Sequence, residues 1–182
     1  MRFRHLPCSV ALAVAALGFS LSWTNDADAA GGAGKAQLGF DLDWASADHD
    51  DESWAGAGGA LRLGYEIDAL FATLIPEIGG SYHSFSNLDT SVYRGLVGAR
   101  VRFLKVLEPG IYGHFGVGHA DSDRPLLPSR TAGTMDLGLS LDFTLLPVIE
   151  FGGHAGYNSL FGGEDSNALN WWNAGLQLAI IL

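Results

Sequence analysis

Apolar and polar residues alternate from about Lys35 to the end of the chain, in blocks of roughly ten residues separated by turn-forming or polar segments. The final block shows the pattern most clearly. One face carries Trp172, Ala174, Leu176, Leu178, Ile180 and Leu182, and the other carries Trp171, Asn173, Gly175, Gln177 and Ala179. Because successive side chains of a β-strand point to opposite faces, this alternation predicts strands with a different environment on each side.

Eight segments of this kind are present. We predict strands over approximately residues 35–44, 55–67, 71–85, 91–104, 108–119, 135–143, 148–159 and 171–182. The connections after the second, fourth and sixth strands are short, whereas those after the odd-numbered strands are polar and mostly longer. Short turns at one end and longer loops at the other are typical of an up-and-down β-barrel. We name these two ends the turn rim and the loop rim.

Alternation alone does not decide which face meets water. A soluble carrier such as a lipocalin buries its apolar face in a cavity, whereas a membrane barrel turns that face toward lipid. The polar face here interleaves glycines with charges of both signs, namely Arg62, Glu66, Glu77, Arg94, Arg100, Arg102, Glu108, Asp136, Asp142 and Glu150. An eight-stranded barrel has an interior just wide enough for side chains, which such charges can fill as a paired structural network.

We therefore predict an all-β fold, an eight-stranded antiparallel up-and-down transmembrane β-barrel with a polar, side-chain-filled lumen. The soluble carrier remains the alternative. Five aromatic residues of the apolar face fall near the loop-rim ends of their strands, namely Trp44, Tyr82, Tyr93, Tyr157 and Trp172. Tyrosine and tryptophan are enriched where a membrane meets water, so we predict that these residues form an aromatic girdle.

The N-terminal segment has the pattern of a secretory signal peptide. Arg2 and Arg4 precede an apolar run over about residues 10–21, and Ala27-Asp28-Ala29 provides a small-x-small cleavage site. The run is shorter than a membrane-spanning helix requires. We predict a signal peptide over residues 1–29 and a barrel domain over residues 30–182. The single cysteine, Cys8, belongs to the first of these, so the barrel domain contains none.

The formal net charge of the chain is -10, and no basic patch could neutralise phosphates, so we expect no nucleic-acid partner. Part of the acidic charge is concentrated in Asp48-His49-Asp50-Asp51-Glu52, which we interpret as a solvated loop. Calcium binding, or divalent bridging to lipopolysaccharide, is the functional alternative for this segment. The segment lacks the glycine and the spacing of an EF-hand loop.

Three histidines, His83, His114 and His154, lie on the polar face of predicted strands three, five and seven. These strands are not neighbours, and the histidines show no tight metal-ligand spacing. We therefore predict hydrogen-bonded lumen histidines, with a metal site as the alternative, and we assign no metal or cofactor.

The signal peptide, the eight amphipathic strands and the apolar C-terminal segment from Trp171 to Leu182 together resemble the small outer-membrane β-barrel domains of the OmpX/OmpA type. The resemblance covers essentially the whole chain after residue 29. It implies an outer-membrane location, contact with outer-membrane lipid and lipopolysaccharide, and insertion by the outer-membrane assembly machinery. Barrels of this type commonly end in an aromatic residue that the machinery reads, whereas this chain ends in Leu182.

An outer-membrane lipid A hydrolase is the enzymatic alternative. Lipid A deacylase barrels are similar in size and use a serine, a histidine and an acid near the outer rim. His154, Ser159 and Glu164 lie toward that end of predicted strand seven, but Gly156 stands where the His-x-Ser arrangement requires serine. We therefore predict no catalytic residues. The expected function is that of a non-enzymatic outer-membrane barrel in envelope integrity or surface interaction, with its external partner left open.

Overall fold

The computed structural model describes residues 34–49, 52–69, 71–86, 89–104, 107–122, 129–162 and 168–182. They form eight strands: β1 Lys35–His49, β2 Glu52–Asp68, β3 Ala72–Phe85, β4 Thr90–Phe103, β5 Leu107–Ser122, β6 Arg130–Leu146, β7 Ile149–Phe161 and β8 Leu169–Ile181. Each strand pairs antiparallel with its sequence neighbours, and β8 returns to β1 to close the barrel. The predicted all-β, eight-stranded up-and-down barrel is confirmed.

The predicted signal peptide, residues 1–29, lies outside the described residues. Within the part of the chain that the structure describes, no helix is long and apolar enough to cross a membrane.

The closing seam joins the first strand to the last. The ladder runs from Ala47 opposite Trp171 to Gln37 opposite Ile181. The backbone N–H of Leu182 extends it by donating to the carbonyl of Ala36 at 2.8 Å. Because every strand is paired on both sides, the barrel has no open edge with unsatisfied backbone groups.

Several strands extend further toward the loop rim than the alternation predicted. β1 continues to His49 and β2 begins at Glu52, and the backbones of these two residues are paired. The prediction that residues 48–52 form a loop, and that a longer connection follows the first strand, is therefore wrong. Antiparallel pairing continues until only residues 50 and 51 separate the strands. The longer loop-rim connections are residues 86–89, 123–129 and 162–168.

The apolar face of the strands lies on the outside of the barrel. Leu137, Leu139 and Leu141 on β6 have exposed fractions of 67%, 64% and 41%. Between the turn rim and the five aromatic residues, the outward positions of the described strands carry no charged side chain. A soluble carrier would place these residues in its cavity, so the structure excludes that alternative.

The interior is mostly polar from the turn rim to about the level of Asp43 and Asn158, as predicted, with buried Ile75 as an apolar exception, and it is apolar nearer the loop rim. Ten buried residues form this apolar end, which we name the apolar plug: Ala45, Ala47, Trp54, Phe85, Val92, Ala120, Ala132, Leu160, Leu169 and Trp171. The alternation continues into this end of the barrel, but with the polarity of its two faces reversed.

Candidate functional site: the charge network of the lumen

The lumen charges begin near the turn rim with a cluster around Arg102. Its guanidinium forms ion pairs with Glu66, with Glu150 at 2.5 Å and with Glu108 at 3.4 Å. The side-chain amide of Gln37 on β1 donates to Glu150 at 2.6 Å. These residues come from β1, β2, β4, β5 and β7, so the cluster connects strands around the barrel. One buried arginine thus serves three carboxylates, all of which are buried.

Two arginines occupy the middle of the lumen. Arg62 on β2 donates to both oxygens of Asp41 and, through Nη1, to Glu77 at 2.8 Å. Arg100 on β4 lies 3.5 Å from Glu77 and donates to Gln177 on β8 at 2.9 Å. Both cations therefore contact Glu77, and the carbonyl oxygen of Gln177 accepts from Arg100 and from Arg62. Buried charges are tolerated when they are paired in this way.

Nearer the loop rim, His114 bridges two acidic residues. His114 Nδ1 lies 2.6 Å from Asp136, and Nε2 lies 2.9 Å from Glu77. Since an ionised carboxylate only accepts hydrogen bonds, this geometry suits a ring that carries protons on both nitrogens. Arg94 adds a cation beside it, donating to Asn158 at 2.6 Å and lying 3.8 Å from Asp136.

Asp43 lies between the other two lumen histidines, and is hydrogen-bonded to His154. Its two carboxylate oxygens lie 2.5 Å from Nε2 of His154 and 3.2 Å from Nε2 of His83. These histidines belong to β7 and β3. Each of these strands lies two strands away from β1, in opposite directions around the barrel. Closure of the barrel thus brings together strands that the linear sequence separates. Among the described residues, no three His, Cys, Asp or Glu side chains are arranged to hold a metal ion.

Glycines on neighbouring strands make room for the large lumen side chains. The phenol of Tyr112 on β5 lies across Gly138 on β6 and Gly156 on β7, where an added Cβ would overlap the ring. In the same way His83 lies against Gly58 on β2, with its Cδ2 only 2.5 Å from the Cβ position. These glycines are therefore needed for close approach between a ring and a strand.

All ten predicted lumen residues face the interior, and nine of them are buried, the partly buried Arg62 being the exception. Several residues that complete the network were not among the ten predicted lumen residues: Gln37, Asp41, Asp43, Tyr112, Asn158 and Gln177. A signal for these residues was present, because they belong to the polar face of the alternating strands. Asp41 and Asp43 alternate with Phe40, Leu42 and Trp44, and Gln177 alternates with Leu176 and Leu178. Their partners on distant strands leave no local signal.

The network leaves only a small free volume. A cavity of about 40 Å³ lies among Asp41, Asp43, Ser81, Arg94 and Tyr112. A space of this size holds a few water molecules. Among the described residues, four arginines face eight carboxylates in the ion pairs of the lumen. The interior is therefore acidic and nearly filled.

The five predicted girdle residues all point outward. Trp44 and Trp172 are 61% and 60% exposed. The ring centres of Tyr82 and Tyr93 lie 4.9 Å apart in a tilted arrangement, and those of Tyr157 and Trp172 lie 5.1 Å apart, edge to face. These pairs are cross-strand neighbours on β3–β4 and β7–β8.

The residues considered for a hydrolytic triad are not assembled. His154 faces the lumen and is bound to Asp43, whereas Ser159, five residues further along β7, lies on the opposite face of the strand. Glu164 lies outside the described residues. A nucleophile and its base must be within hydrogen-bonding reach, which residues on opposite faces of one strand are not.

No protein-family model matches the chain, and no curated protein matches it in sequence. Solved structures match its fold. The structure of Neisserial surface protein A is 12% identical, with a TM-score of 0.62, over 80% of this chain and 96% of that one. Ail, the attachment invasion locus protein of Yersinia pestis, is 19% identical, with a TM-score of 0.52, over 82% of this chain and 99% of that one. Ail has also been solved with the heparin analogue sucrose octasulfate. The chain therefore shares the fold of small eight-stranded outer-membrane barrels.

Proposed function

We propose that this chain is an integral outer-membrane β-barrel protein without enzymatic activity, with a role in envelope integrity or surface interaction. One observation carries the proposal. Between the turn rim and the five girdle residues, the outward positions of the described strands form an apolar belt without a charged side chain, while the charged groups at this level face the lumen. In water such a belt would be an extensive exposed apolar surface, whereas in a bilayer it is the ordinary lipid-facing surface.

The length of the belt supports this location. A tilted strand needs about 9–11 residues to cross the hydrocarbon core of a bilayer. On β8 the outward residues from Trp172 to Ile180 are exposed and uncharged, and Leu182 continues the row. The girdle residues then lie at one border of the belt, where their polar atoms can meet the headgroups.

The proposed absence of enzymatic activity rests on the contacts that the polar side chains of the lumen make with one another. His114 and His154 are hydrogen-bonded to carboxylates, His83 lies 3.2 Å from Asp43, and the free volume beside them is small. A lipid substrate would have to reach groups that face away from the membrane. We therefore propose that the lumen network acts as internal support for the barrel.

We propose outer-membrane lipid and lipopolysaccharide as the partners of the belt, and the outer-membrane assembly machinery as the route of insertion. We do not extend the polyanion named for Ail to this chain. The chain is acidic, with a formal net charge of -10, and like charges repel a sulfated ligand. Retention of the purified protein on immobilised heparin at about 0.15 M salt would contradict this part of the proposal.

Cell fractionation tests the location. The full-length protein should sediment with the outer membrane, resist extraction by salt or alkali, and require detergent for release. On gels it should migrate differently before and after boiling, because a folded barrel resists the detergent at room temperature. Recovery in the soluble periplasmic fraction without detergent would overturn the proposal.

A comparison of cells with and without the gene separates the two roles. A role in envelope integrity predicts greater sensitivity to detergents and large antibiotics in cells that lack the protein. A role in surface interaction predicts unchanged sensitivity and weaker attachment to a surface or another cell. Mass spectrometry of lipid A from both strains tests the enzymatic alternative, and altered acyl chains would contradict the non-enzymatic assignment.

A further inference from the structure

The outer face of the barrel changes character beyond the girdle. Toward the loop rim, the outward positions of the strands are mostly small or polar, among them Ser46, Ser84, Ser91, His119, Asp121, Thr131 and Asn170. Two cross-strand hydrogen bonds lie on this surface: His119 with Thr131 at 2.9 Å, and Tyr82 with Ser91 at 3.2 Å. Such a surface is suited to water and poorly suited to lipid hydrocarbon.

At the same level, the interior of the barrel changes from polar to apolar. The large members of the apolar plug, Trp54, Phe85, Leu160, Leu169 and Trp171, have exposed fractions between 0% and 6%. An apolar interior with a polar exterior is the arrangement of a water-soluble protein. The barrel thus has a long segment with a polar interior and an apolar exterior. A short segment with an apolar interior and a polar exterior continues it toward the loop rim.

The apolar plug lies between the charge network and the loop rim, in direct contact with the network. The ring of Trp171 meets Phe85 edge-on at 6.0 Å and His83 at 5.8 Å, and the guanidinium of Arg94 lies 4.9 Å from its centre. Leu160 of β7 extends beyond β6 and reaches Gly118 on β5, with Cδ1 only 2.6 Å from the Cβ position of that glycine. These side chains therefore fill the cross-section of the barrel between strands that are not paired with one another.

We propose that the loop-rim end of the barrel is a water-exposed seal, in which the apolar plug shuts the polar lumen off from the outside of the cell. The outward direction of the seal rests on the proposed membrane location. The sealing itself depends only on the plug. A water molecule or ion passing from the loop rim to the cavity beside Ser81 would have to lose its hydration among closely packed apolar side chains.

Thiol reactivity tests the seal, because residues 30–182 contain no cysteine. Ser81→Cys places a single thiol at the cavity below the plug. The protein is reconstituted in lipid nanodiscs, where both rims are open to solvent, and its reaction with a positively charged methanethiosulfonate is timed. We expect slow labelling in the intact barrel and at least a tenfold faster reaction when Phe85→Ala and Trp171→Ala are added.

The matched control removes two aromatic rings near the same level from the outer face, by Phe161→Ala with Trp172→Ala, and should leave the rate unchanged. Heat-modifiable mobility verifies folding of each variant. If the double plug variant does not fold, Leu160→Ala replaces it, with acceleration again expected. An unchanged rate in a folded plug variant would overturn the seal, because removal of the plug should open the path from the loop rim. That result would not alter the outcome of fractionation, so failure of the seal and failure of the membrane location are distinguishable.

Discussion

Trp171 and Trp172 are consecutive in sequence and lie on opposite faces of the barrel wall. Trp171 is 1% exposed and belongs to the apolar plug, whereas Trp172 is 60% exposed and meets Tyr157 edge to face. Because successive side chains of a strand point to opposite faces, one ring lies in the barrel interior and the other on its outer surface. This pair therefore reports on both the lipid-facing surface and the sealed interior.

Single-tryptophan proteins make the contrast measurable. With the other tryptophans of residues 30–182 replaced by phenylalanine, lipids brominated near the headgroup should quench Trp172 strongly and Trp171 weakly, because only Trp172 faces the bilayer. Aqueous acrylamide should also quench Trp171 weakly, because the plug excludes water. Equal quenching of the two residues by the brominated lipid would contradict the assignment of faces.

A charge placed on the lipid-facing surface should destabilise the barrel. Leu139→Arg, in the middle of the outward row of β6, is expected to cost about 2–4 kcal/mol of unfolding free energy in a bilayer. The control is Thr131→Arg, on the same strand and the same face but beyond the girdle, where the cost should fall to about 0–1 kcal/mol. Urea titrations in phospholipid vesicles measure both, and equal costs would show that these positions do not differ in depth.

Glycine at position 138 is required by the phenol of Tyr112. Gly138→Ala places a methyl group into the ring and against the Ala155 carbonyl, and should cost about 1–3 kcal/mol. Gly95 on β4 is the control, since an added Cβ there meets no atom within 4 Å and Gly95→Ala should be nearly neutral. The same urea titration distinguishes them, and equal effects would show that strand propensity, and not ring packing, decides the cost.

Removal of a central lumen cation should be costly. Arg62→Met leaves Asp41 and Glu77 without the hydrogen bonds that Arg62 donates, and breaking a buried pair in this way costs about 3–5 kcal/mol. Arg62→Lys keeps the charge but cannot form the two-pronged contact with Asp41, so a smaller loss is expected. Leu61→Met on the outward face should change stability by less than about 1.5 kcal/mol. A neutral Arg62→Met would show that the network does not support the fold.

The sequence contains enough information for the eight strands, their faces and the lumen charges, because each follows from local alternation. The local alternation does not predict which of those charges pair with one another. Asp43 meets His83 and His154 only because the barrel closes, and no local pattern encodes contacts between residues so far apart.

The loop-rim ends of the strands were missed for a different reason. The predicted first strand stops at Trp44, where the polarity of the two faces inverts. Beyond that point Ala45 and Ala47 face inward and Ser46 faces outward. A search for one polar and one apolar face ends where the faces exchange roles, although the backbone pairing continues.

Spin labels along β6 test the lipid-facing belt most directly. Single cysteines at Leu141, Leu139, Leu137 and Met135, with Thr131 as the water-facing comparison, are labelled with a nitroxide in bilayers. Relaxation by oxygen, which concentrates in lipid, and by a water-soluble nickel complex is then compared. The account predicts high oxygen and low nickel accessibility at the first four positions and the reverse at residue 131. High nickel accessibility at Leu137, Leu139 and Leu141 would contradict a membrane-spanning barrel.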